Sequence, residues 1–422
     1  MAAALGVLVS CGSVKSGEEV VAASRDSKVV VAYVTSWSEV MPDPQYMTHI
    51  NYAFGHVNES FNGVKIDNEE RLRQIVDLRK QKPELKVLLS IGGWGSGRFS
   101  EMAANDEYRR AFAADCDRVV KEFALDGIDI DWEYPTSSMA NISSSPDDTE
   151  NFTLLMQDIR AAIGNEKELT LATVASARYI DFKAILPSVD FVNIMAYDMA
   201  SAPKHHSALY PSGHSGDITS DGAVTAHLKA GVPPSKLVMG MPFYGRGGDG
   251  YPSFQDYNKV GNTDTQYTEK WDEVAQVPYL ADKNDTLVFG FENPRSLAIK
   301  CQYILDKDLL GGMYWDYSGD NEQGDLRRTV AENLLGKPHK AKVLVLTERG
   351  GQHGGFTDAG LRWLAAEGVK GNFSITEINN ARNITEAYLS QFSLVIQLDF
   401  PPYTWPKEAE DAFVKYIEEG RG

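Results

Sequence analysis

The chain has 422 residues, of which 43% are hydrophobic, so it is long enough for a sizeable core in one large domain plus a fragment, or in two domains. It carries 59 Asp and Glu against 41 Lys and Arg, giving a formal net charge of -18. Because such an acidic surface does not neutralise a phosphate backbone, nucleic acid is excluded as a partner, and a neutral or cationic substrate fits better.

The first 27 residues are predicted to be a signal and tether. The apolar run in "LGVLVSCGS" ends in small residues directly before Cys11, which is similar to a bacterial lipoprotein signal lipidated at that cysteine. A frayed apolar N-terminus is the alternative. Lipidation at Cys11 implies an extracytoplasmic protein, at the bacterial cell surface or in the periplasm, and we expect a monomer. The other cysteines, Cys116 and Cys301, lie in helical patterns and are predicted to be small buried residues rather than disulfide partners.

From residue 28 onward, short β-branched runs alternate with amphipathic segments such as 106–125 and 148–164. This alternation predicts parallel strands joined by helices. Eight units favour a (β/α)8 TIM barrel over residues 28–336, with its active site at the carboxyl ends of the strands, and a doubly wound open sheet is the alternative. The eight strand-like runs are 28–37, 49–57, 86–94, 127–134, 169–176, 191–198, 237–245 and 311–318.

Two further segments interrupt or follow this pattern. A short insertion, at about 247–295, separates the last two predicted strands. After the linker at 336–342 the strand and helix pattern restarts with a strand that runs into a Gly-rich loop and a helix at 342–358, followed by strand-like runs at 373–378 and 394–400. Three strands make only half of a doubly wound sheet, so residues 342–422 are predicted to be an incomplete, flavodoxin-like C-terminal segment. Its Gly-rich loop with His353 could contact a ligand, but a tight turn is the more common role of such a loop.

The stretch "DGIDIDWEYP", residues 126–135, sets carboxylates at alternate positions of a strand-like run. Because side chains of a strand alternate between its faces, Asp129, Asp131 and Glu133 share one face, and Ile128 and Ile130 face the other way. Close carboxylates in a partly dry site cannot all be ionised cheaply, so one is expected to hold a proton near neutral pH, as a general acid must. A solvated strand or a cation site is the alternative, which the strand-forming residues between the acids disfavour.

This stretch resembles the Asp-Gly-x-Asp-x-Asp-x-Glu motif of glycoside hydrolase family 18, in its chitinase-like branch. The segments "NYAF" (51–54), "SIGGW" (90–94), "MAYD" (195–198), "MPFYGR" (241–246) and "GGMYWDY" (311–317) occur in the order found in that family. The likeness covers residues 28 to about 335. It implies a barrel that binds substrate at its mouth and needs no cofactor or metal.

The resemblance implies substrate-assisted hydrolysis that retains configuration. Glu133 would act as acid and then base, Asp131 would orient the 2-acetamido group, Asp129 would support Asp131, and Tyr197 would donate its hydroxyl to the acetamido carbonyl. Substrate-binding residues implied by the same motifs, together with candidate stacking aromatics, are Trp315, Asp198, Tyr244, Met195, Trp94, Trp37, Tyr33, Phe54 and Arg246. Trp271 is an even choice between substrate and core.

Several neighbouring residues are interpreted as structural. Ser90, Gly92 and Gly93 fit a tight strand end beside the acids, where glycine permits close backbone approach. Three histidines, His205, His206 and His214, lack the spacing of a metal-ligand set and are expected at the surface.

The implied activity is that of a chitinase acting on β-1,4-linked N-acetylglucosamine. An endo-β-N-acetylglucosaminidase that cuts the chitobiose core of N-glycans is an alternative with the same chemistry, and a glycan-binding lectin is an alternative of another class. A reduced insertion suggests an open cleft and internal cleavage. Residues 342–422 resemble the start of ThuA-like domains, a likeness to which no chemistry is assigned.

Overall fold

The computed structural model describes residues 28–248, 251–260, 266–336, 341–347, 354–371, 373–382, 384–398 and 405–420. Residues 1–27 with Cys11, most of the predicted linker and the Gly-rich loop with His353 lie outside this part of the chain.

Eight parallel strands form a closed barrel, which confirms the predicted fold. The barrel order is β1, β14, β8, β7, β6, β5, β4 and β2, and β1 also pairs with β2, which closes the ring. A ninth strand, β3, extends β2 as an antiparallel hairpin. The strands of this sheet are β1 Val29–Thr35, β2 His49–Val57, β3 Val64–Ile66, β4 Lys86–Gly92, β5 Gly127–Asp131, β6 Glu168–Val174, β7 Phe191–Met195, β8 Leu237–Pro242 and β14 Gly311–Trp315.

Helices follow most barrel strands and form the outer layer. Several of them begin at a polar cap, as where the Asn105 side chain accepts two backbone N–H groups at the start of one helix. The helices of the barrel region are α1 Glu69–Val76, α2 Phe99–Ala104, α3 Asp106–Glu122, α4 Asp148–Ile163, α5 Phe182–Ile185, α6 Ser220–Lys229, α7 Pro294–Asp306 and α8 Asp325–Leu334. No helix of the described residues has the length and apolar character needed to cross a bilayer.

The core has two layers that follow from the alternation of strand side chains. Ile128 and Ile130 of β5 are fully buried in the large cluster between sheet and helices, as predicted. A smaller cluster, which includes Tyr33, Phe54 and Met313, fills the barrel interior beneath the mouth. The carboxylates of β5 therefore project into the barrel above an apolar floor.

Seven of the eight predicted barrel strands end earlier than the sequence suggested, and two of these differences bear on the site. The run 237–245 is not one strand, because β8 ends at Pro242, which has no N–H to continue the ladder, and Tyr244 begins a separate strand. Likewise β5 ends at Asp131, so Glu133 lies on the loop just beyond the strand end.

The insertion before the last barrel strand is an antiparallel sheet in the order β10, β9, β13, β12 and β11. Its strands are β9 Tyr244–Gly247, β10 Gln255–Asp256, β11 Thr268–Asp272, β12 Val277–Ala281 and β13 Leu287–Gly290. Because β9 starts two residues after β8, the insertion carries Tyr244 and Arg246 to the rim of the barrel mouth.

The C-terminal residues form a separate sheet with its own apolar cluster. Strand β15 pairs in parallel with β16 on one side and with β17 on the other, so the three predicted strands are present. These elements are β15 Ala341–Thr347, α9 Gly354–Gly371, β16 Phe373–Ile378, α10 Glu386–Leu389, β17 Leu394–Leu398 and α11 Lys407–Glu418.

Candidate active site

Asp129 lies at the base of the site, fully buried in the barrel interior. Its Oδ2 accepts hydrogen bonds from the Tyr33 hydroxyl at 2.9 Å and the Ser90 hydroxyl at 2.8 Å. Its Oδ1 accepts from the Thr170 hydroxyl at 2.5 Å and the Asn193 amide at 3.3 Å. Burial raises the pKa of Asp129, and these four hydrogen bonds oppose the rise by stabilising the carboxylate.

Asp131 lies one strand pleat higher and has a different environment. It is buried, and its Oδ1 has no hydrogen-bond partner among the described residues. Burial raises the pKa of Asp131 well above its ordinary value, and the negative charges of Glu133 and Asp129 raise it further. The side chain therefore offers a buried acceptor atom that a bound N–H group could satisfy.

Glu133 lies two residues beyond Asp131, on the loop that follows the end of β5. Burial raises the pKa of Glu133 to about 7, and the charge of Asp198 adds to the rise. This carboxyl group holds a proton at neutral pH much more often than an exposed glutamate, which is the state that a general acid needs.

Asp198 follows β7, and its pKa is shifted in the opposite direction from that of Glu133. The Arg246 guanidinium binds it in a bidentate pair, with Nε 2.7 Å from Oδ1 and Nη2 2.6 Å from Oδ2. His206 Nδ1 is 3.4 Å from Oδ1. Burial alone would raise the pKa of Asp198, but the hydrogen bonds from Arg246 and His206 outweigh it and hold the pKa well below the usual range.

Two of the three histidines expected at the surface are buried, so that prediction was wrong for His205 and His206. The ring of His206 lies 5.3 Å from Tyr244 and beside Asp198, and His205 Nε2 is 3.2 Å from an oxygen of Asp272. Both imidazoles satisfy carboxylates that the insertion and the loop after β7 bring together, a tertiary pairing with no local sequence signal. His214 is exposed, as expected.

A buried ion pair fixes the same loop to the insertion. The side chains of Lys300, on α7, and Glu292 are fully buried and bonded to each other. Ser207 and Ser296 each donate a hydroxyl to Glu292 at 2.6 Å, and Lys300 Nζ donates to the Ser207 carbonyl at 2.5 Å. The residue after His206 is thereby held in place.

Aromatic rings form the floor of the mouth. Trp315 is half-buried at the end of β14, with its ring 5.7 Å from Tyr33 and stacked on Phe54 at 5.6 Å. Trp37, with 64% of its surface exposed, lies 6.5 Å from Trp315. The predicted residues Trp315, Tyr33, Phe54 and Trp37 thus meet in one cluster, with an apolar ring face available at the mouth.

Tyr197 and Tyr244 lie between this floor and the acids. Their rings meet edge to face at 6.1 Å, and Met195 packs half-buried in the interior cluster. Burial raises the pKa of Tyr197 well above its ordinary value, and the charges of Asp131 and Glu133 add to the rise. Its hydroxyl therefore keeps its proton and can donate a hydrogen bond.

The remaining tryptophans differ from each other. Trp94 is 62% exposed on the loop after β4, with its ring 6.4 Å from Tyr134. Trp271 lies in β11 of the insertion, where the Arg295 guanidinium covers its ring at 3.8 Å. Because a cation already covers this ring, we assign Trp271 a structural role rather than a sugar-binding one.

Sequence reasoning missed three contributors. Thr170 and Asn193 bind Asp129 from β6 and β7, and polar residues at inward strand positions could have indicated them. Phe254, 43% exposed, stacks on Tyr244 at 4.7 Å and carries the Arg246 guanidinium 5.3 Å from its ring. It belongs to no motif, so only the fold of the insertion reveals it.

Residues 29–320 match the family model described as glycosyl hydrolases family 18. The chain belongs to this family. The carboxylates of β5, Glu133 and the Asp198 cluster all lie within the part of the chain that matches this family.

Relatives with curated names agree with this assignment. The chain is 30% identical over 409 residues to chitinase A1 of Niallia circulans, covering 72% of this chain and 58% of that relative. It is 31% identical to mouse chitotriosidase-1, covering 70% of this chain and 74% of the relative. Among solved structures, a family 18 N-acetylglucosaminidase from Paenibacillus barengoltzii superposes with a TM-score of 0.67 at 32% identity, covering 72% of this chain and 99% of the other.

The site of this family 18 member contains carboxylates but no metal-ligand set. Among the described residues, no group of three or more His, Cys, Asp or Glu side chains is placed to hold a metal ion. The arrangement offers an acid with a raised pKa, a buried acceptor two residues before it, a hydroxyl donor and an aromatic floor. These groups can protonate a leaving oxygen and bind an amide beside it.

Proposed function

We propose that the chain is a chitinase-type hydrolase that cleaves β-1,4-linked N-acetylglucosamine. One observation carries the proposal: Glu133, whose pKa is raised to about 7, follows by two residues Asp131, whose buried Oδ1 has no hydrogen-bond partner among the described residues. A 2-acetamido sugar presents a glycosidic oxygen and an amide N–H as neighbours, so it can engage both groups. The similarity to named chitinases supports the same substrate class.

The first step uses the proton on Glu133. The carboxyl O–H donates to the glycosidic oxygen as the bond from that oxygen to the anomeric carbon breaks. The acetamido carbonyl oxygen of the sugar attacks the anomeric carbon and forms an oxazolinium ion. Asp131 accepts the acetamido N–H and its charge stabilises the cation, while the Tyr197 hydroxyl donates to the acetamido oxygen.

The second step reverses these roles. The Glu133 carboxylate takes a proton from a water molecule, which attacks the anomeric carbon while the bond to the acetamido oxygen breaks. The two displacements retain the configuration and return Glu133 to its protonated form. Asp129 supports Asp131 from below, and Trp315 stacks against the sugar ring.

Product analysis tests this proposal and separates its alternatives. Chitin oligosaccharides and a high-mannose glycopeptide are offered side by side, and products are followed by mass spectrometry from the first time point. A chitinase with an open cleft yields several oligosaccharide lengths from long substrates. Release of single sugars only would instead favour an activity like that of the similar N-acetylglucosaminidase. Cleavage of the glycopeptide alone would favour the N-glycan alternative.

The lectin alternative requires binding without turnover. The presence of a protonatable Glu133 above Asp131 supports turnover instead, because a binding protein needs no acid at that place. Binding of chitin oligosaccharides without cleavage of any N-acetylglucosaminide would overturn the enzyme proposal.

Further proposals concern the two ends of the chain. We infer that Cys11 carries lipid and tethers a monomeric protein outside the cytoplasm, and that residues 342–422 are related to ThuA-like domains. The signal-like sequence before Cys11 supports the first, and three parallel strands with their helices support the second. Metabolic labelling with a fatty acid should label the unmodified protein and not C11A, and equal labelling would contradict the tether.

A further inference from the structure

Trp94 lies in a turn that closes on a backbone hydrogen bond from the Ser96 N–H to the Gly93 carbonyl at 3.0 Å. Gly92 ends β4, and Gly93 and Gly95 follow it, with φ of 132°, 92° and 81°, and each of these values is in the region that favours glycine. The Trp94 side chain is 62% exposed. A side-chain contact that anchors this turn to the barrel therefore also fixes where the exposed indole lies.

A chain of hydrogen bonds supplies that contact. His56 Nδ1 is 2.8 Å from the Ser96 hydroxyl, and His56 Nε2 is 3.0 Å from Asp67 Oδ2. With the imidazole neutral, Nε2–H donates to the carboxylate and Nδ1 accepts from Ser96. The backbone N–H of Asp67 donates to the Phe54 carbonyl at 3.0 Å, so the chain ends on the β2–β3 hairpin.

The same hairpin carries the floor of the site. Phe54 stacks on Trp315, and a Cβ at Gly93 would approach the Phe54 ring to 2.7 Å, so the loop passes directly against that ring. His56 follows Phe54 by two residues. The position of Trp94 is thus tied to the ring of Phe54, on which Trp315 stacks.

We propose that His56, Ser96 and Asp67 form a clamp that fixes Trp94 as a stacking platform for a sugar unit beyond the one bound over Trp315. The inference rests on the proposed function and adds three positioning residues to it. None of the three is placed to touch the reacting atoms. A pre-ordered ring binds sugar without the cost of ordering the loop at each encounter.

A double-mutant cycle tests the clamp. We expect S96A to raise KM for a chitin hexasaccharide about 3- to 10-fold, the scale of ordering one side chain, and to leave kcat within about twofold. In a W94A background the same S96A change should have no further effect, because its action passes through the ring. Independent, additive effects of S96A and W94A would overturn the proposal.

Matched variants separate positioning from general damage. S96T keeps the hydroxyl and H56Q keeps one donor and one acceptor, so both should retain most of the affinity that S96A loses. W37A removes another ring near Trp315, and its effect on KM should add to that of S96A without coupling. Loss of kcat in S96A, or failure of S96T to restore KM, would contradict a positioning role. If the unmodified protein cleaves no N-acetylglucosaminide, the proposed function fails instead, and oligosaccharide affinity of the same variants still tests the clamp.

Discussion

Glu133 and Asp198 are two carboxylates at one barrel mouth whose surroundings separate their pKa values. Glu133 has buried surroundings, like charges nearby and a pKa of about 7. Asp198 is partly desolvated although its side chain is 40% exposed, and Arg246 and His206 hold its pKa well below the usual range. The difference shows that burial alone does not decide the protonation state, because a bidentate cation reverses its effect. One residue can therefore supply a proton while the other supplies a fixed negative charge.

Removal of the proton donor, Glu133, should have the largest effect. E133Q should lower kcat about 10³- to 10⁴-fold, the upper range for loss of general acid catalysis, while oligosaccharide affinity is retained. Steady-state kinetics and calorimetric binding measure the two quantities. E101Q, an exposed change on α2, is the matched control and should behave as the unmodified protein. Equal loss of binding in E133Q would point to misfolding.

Removing the buried cation tests the scaffold behind the Asp198 side. K300M leaves Glu292 buried without its partner, so the free energy of unfolding should fall by about 3–5 kcal/mol. Chemical denaturation measures this change. K80M, at an ion pair that is mostly exposed, should cost under about 1 kcal/mol. Similar costs for the two variants would show that the buried pair does not secure the loop after β7.

The D131N variant distinguishes the stabilising charge of Asp131 from the proton transfer by Glu133. D131N should lower kcat about 10²- to 10³-fold, because the amide cannot stabilise the positive intermediate by charge. The expected loss falls on kcat more than on KM, since the interaction strengthens only as charge develops. An unchanged kcat would exclude Asp131 from the chemistry.

The D198N variant tests whether the charge of Asp198 raises the pKa of Glu133. Loss of the Asp198 charge lowers the pKa of Glu133, so less of the acid is protonated at a given pH. The alkaline limb of kcat/KM, near pH 7 in the unmodified protein, should therefore move to lower pH. D117N, a change at an exposed helical ion pair, should leave the limb in place. A limb that moves to higher pH in D198N would contradict the assigned electrostatics.

The column on β5 was predictable from sequence because strand alternation is a local property. Asp129 and Asp131 fall on one face of β5 whatever surrounds them, and the motif spacing places Glu133 just beyond them at the strand end. The buried state of His206 was not predictable, because it depends on Asp198 and on a loop that an ion pair some 90 residues away holds in place. Phe254 was missed for a similar reason, since only the antiparallel pairing of β9 and β10 brings its segment to Tyr244.

The end of β8 was likewise not predictable from hydrophobicity alone. The apolar run continues from Leu237 through Tyr244, and hydrophobicity alone gives no reason to divide it. The chain changes sheets after Pro242, where the ladder loses a donor, and this places Tyr244 and Arg246 on the insertion. Their role at the rim follows from that change of sheet.

The most direct test of the account is the pKa of Glu133 itself. Infrared difference spectra of the unmodified protein and E133Q, recorded across a pH series, isolate the carboxyl stretch of this side chain. The account predicts that the protonated band disappears with a midpoint near pH 7. A midpoint near that of an exposed glutamate, about 4.3, would contradict the claim that this environment prepares Glu133 as the acid.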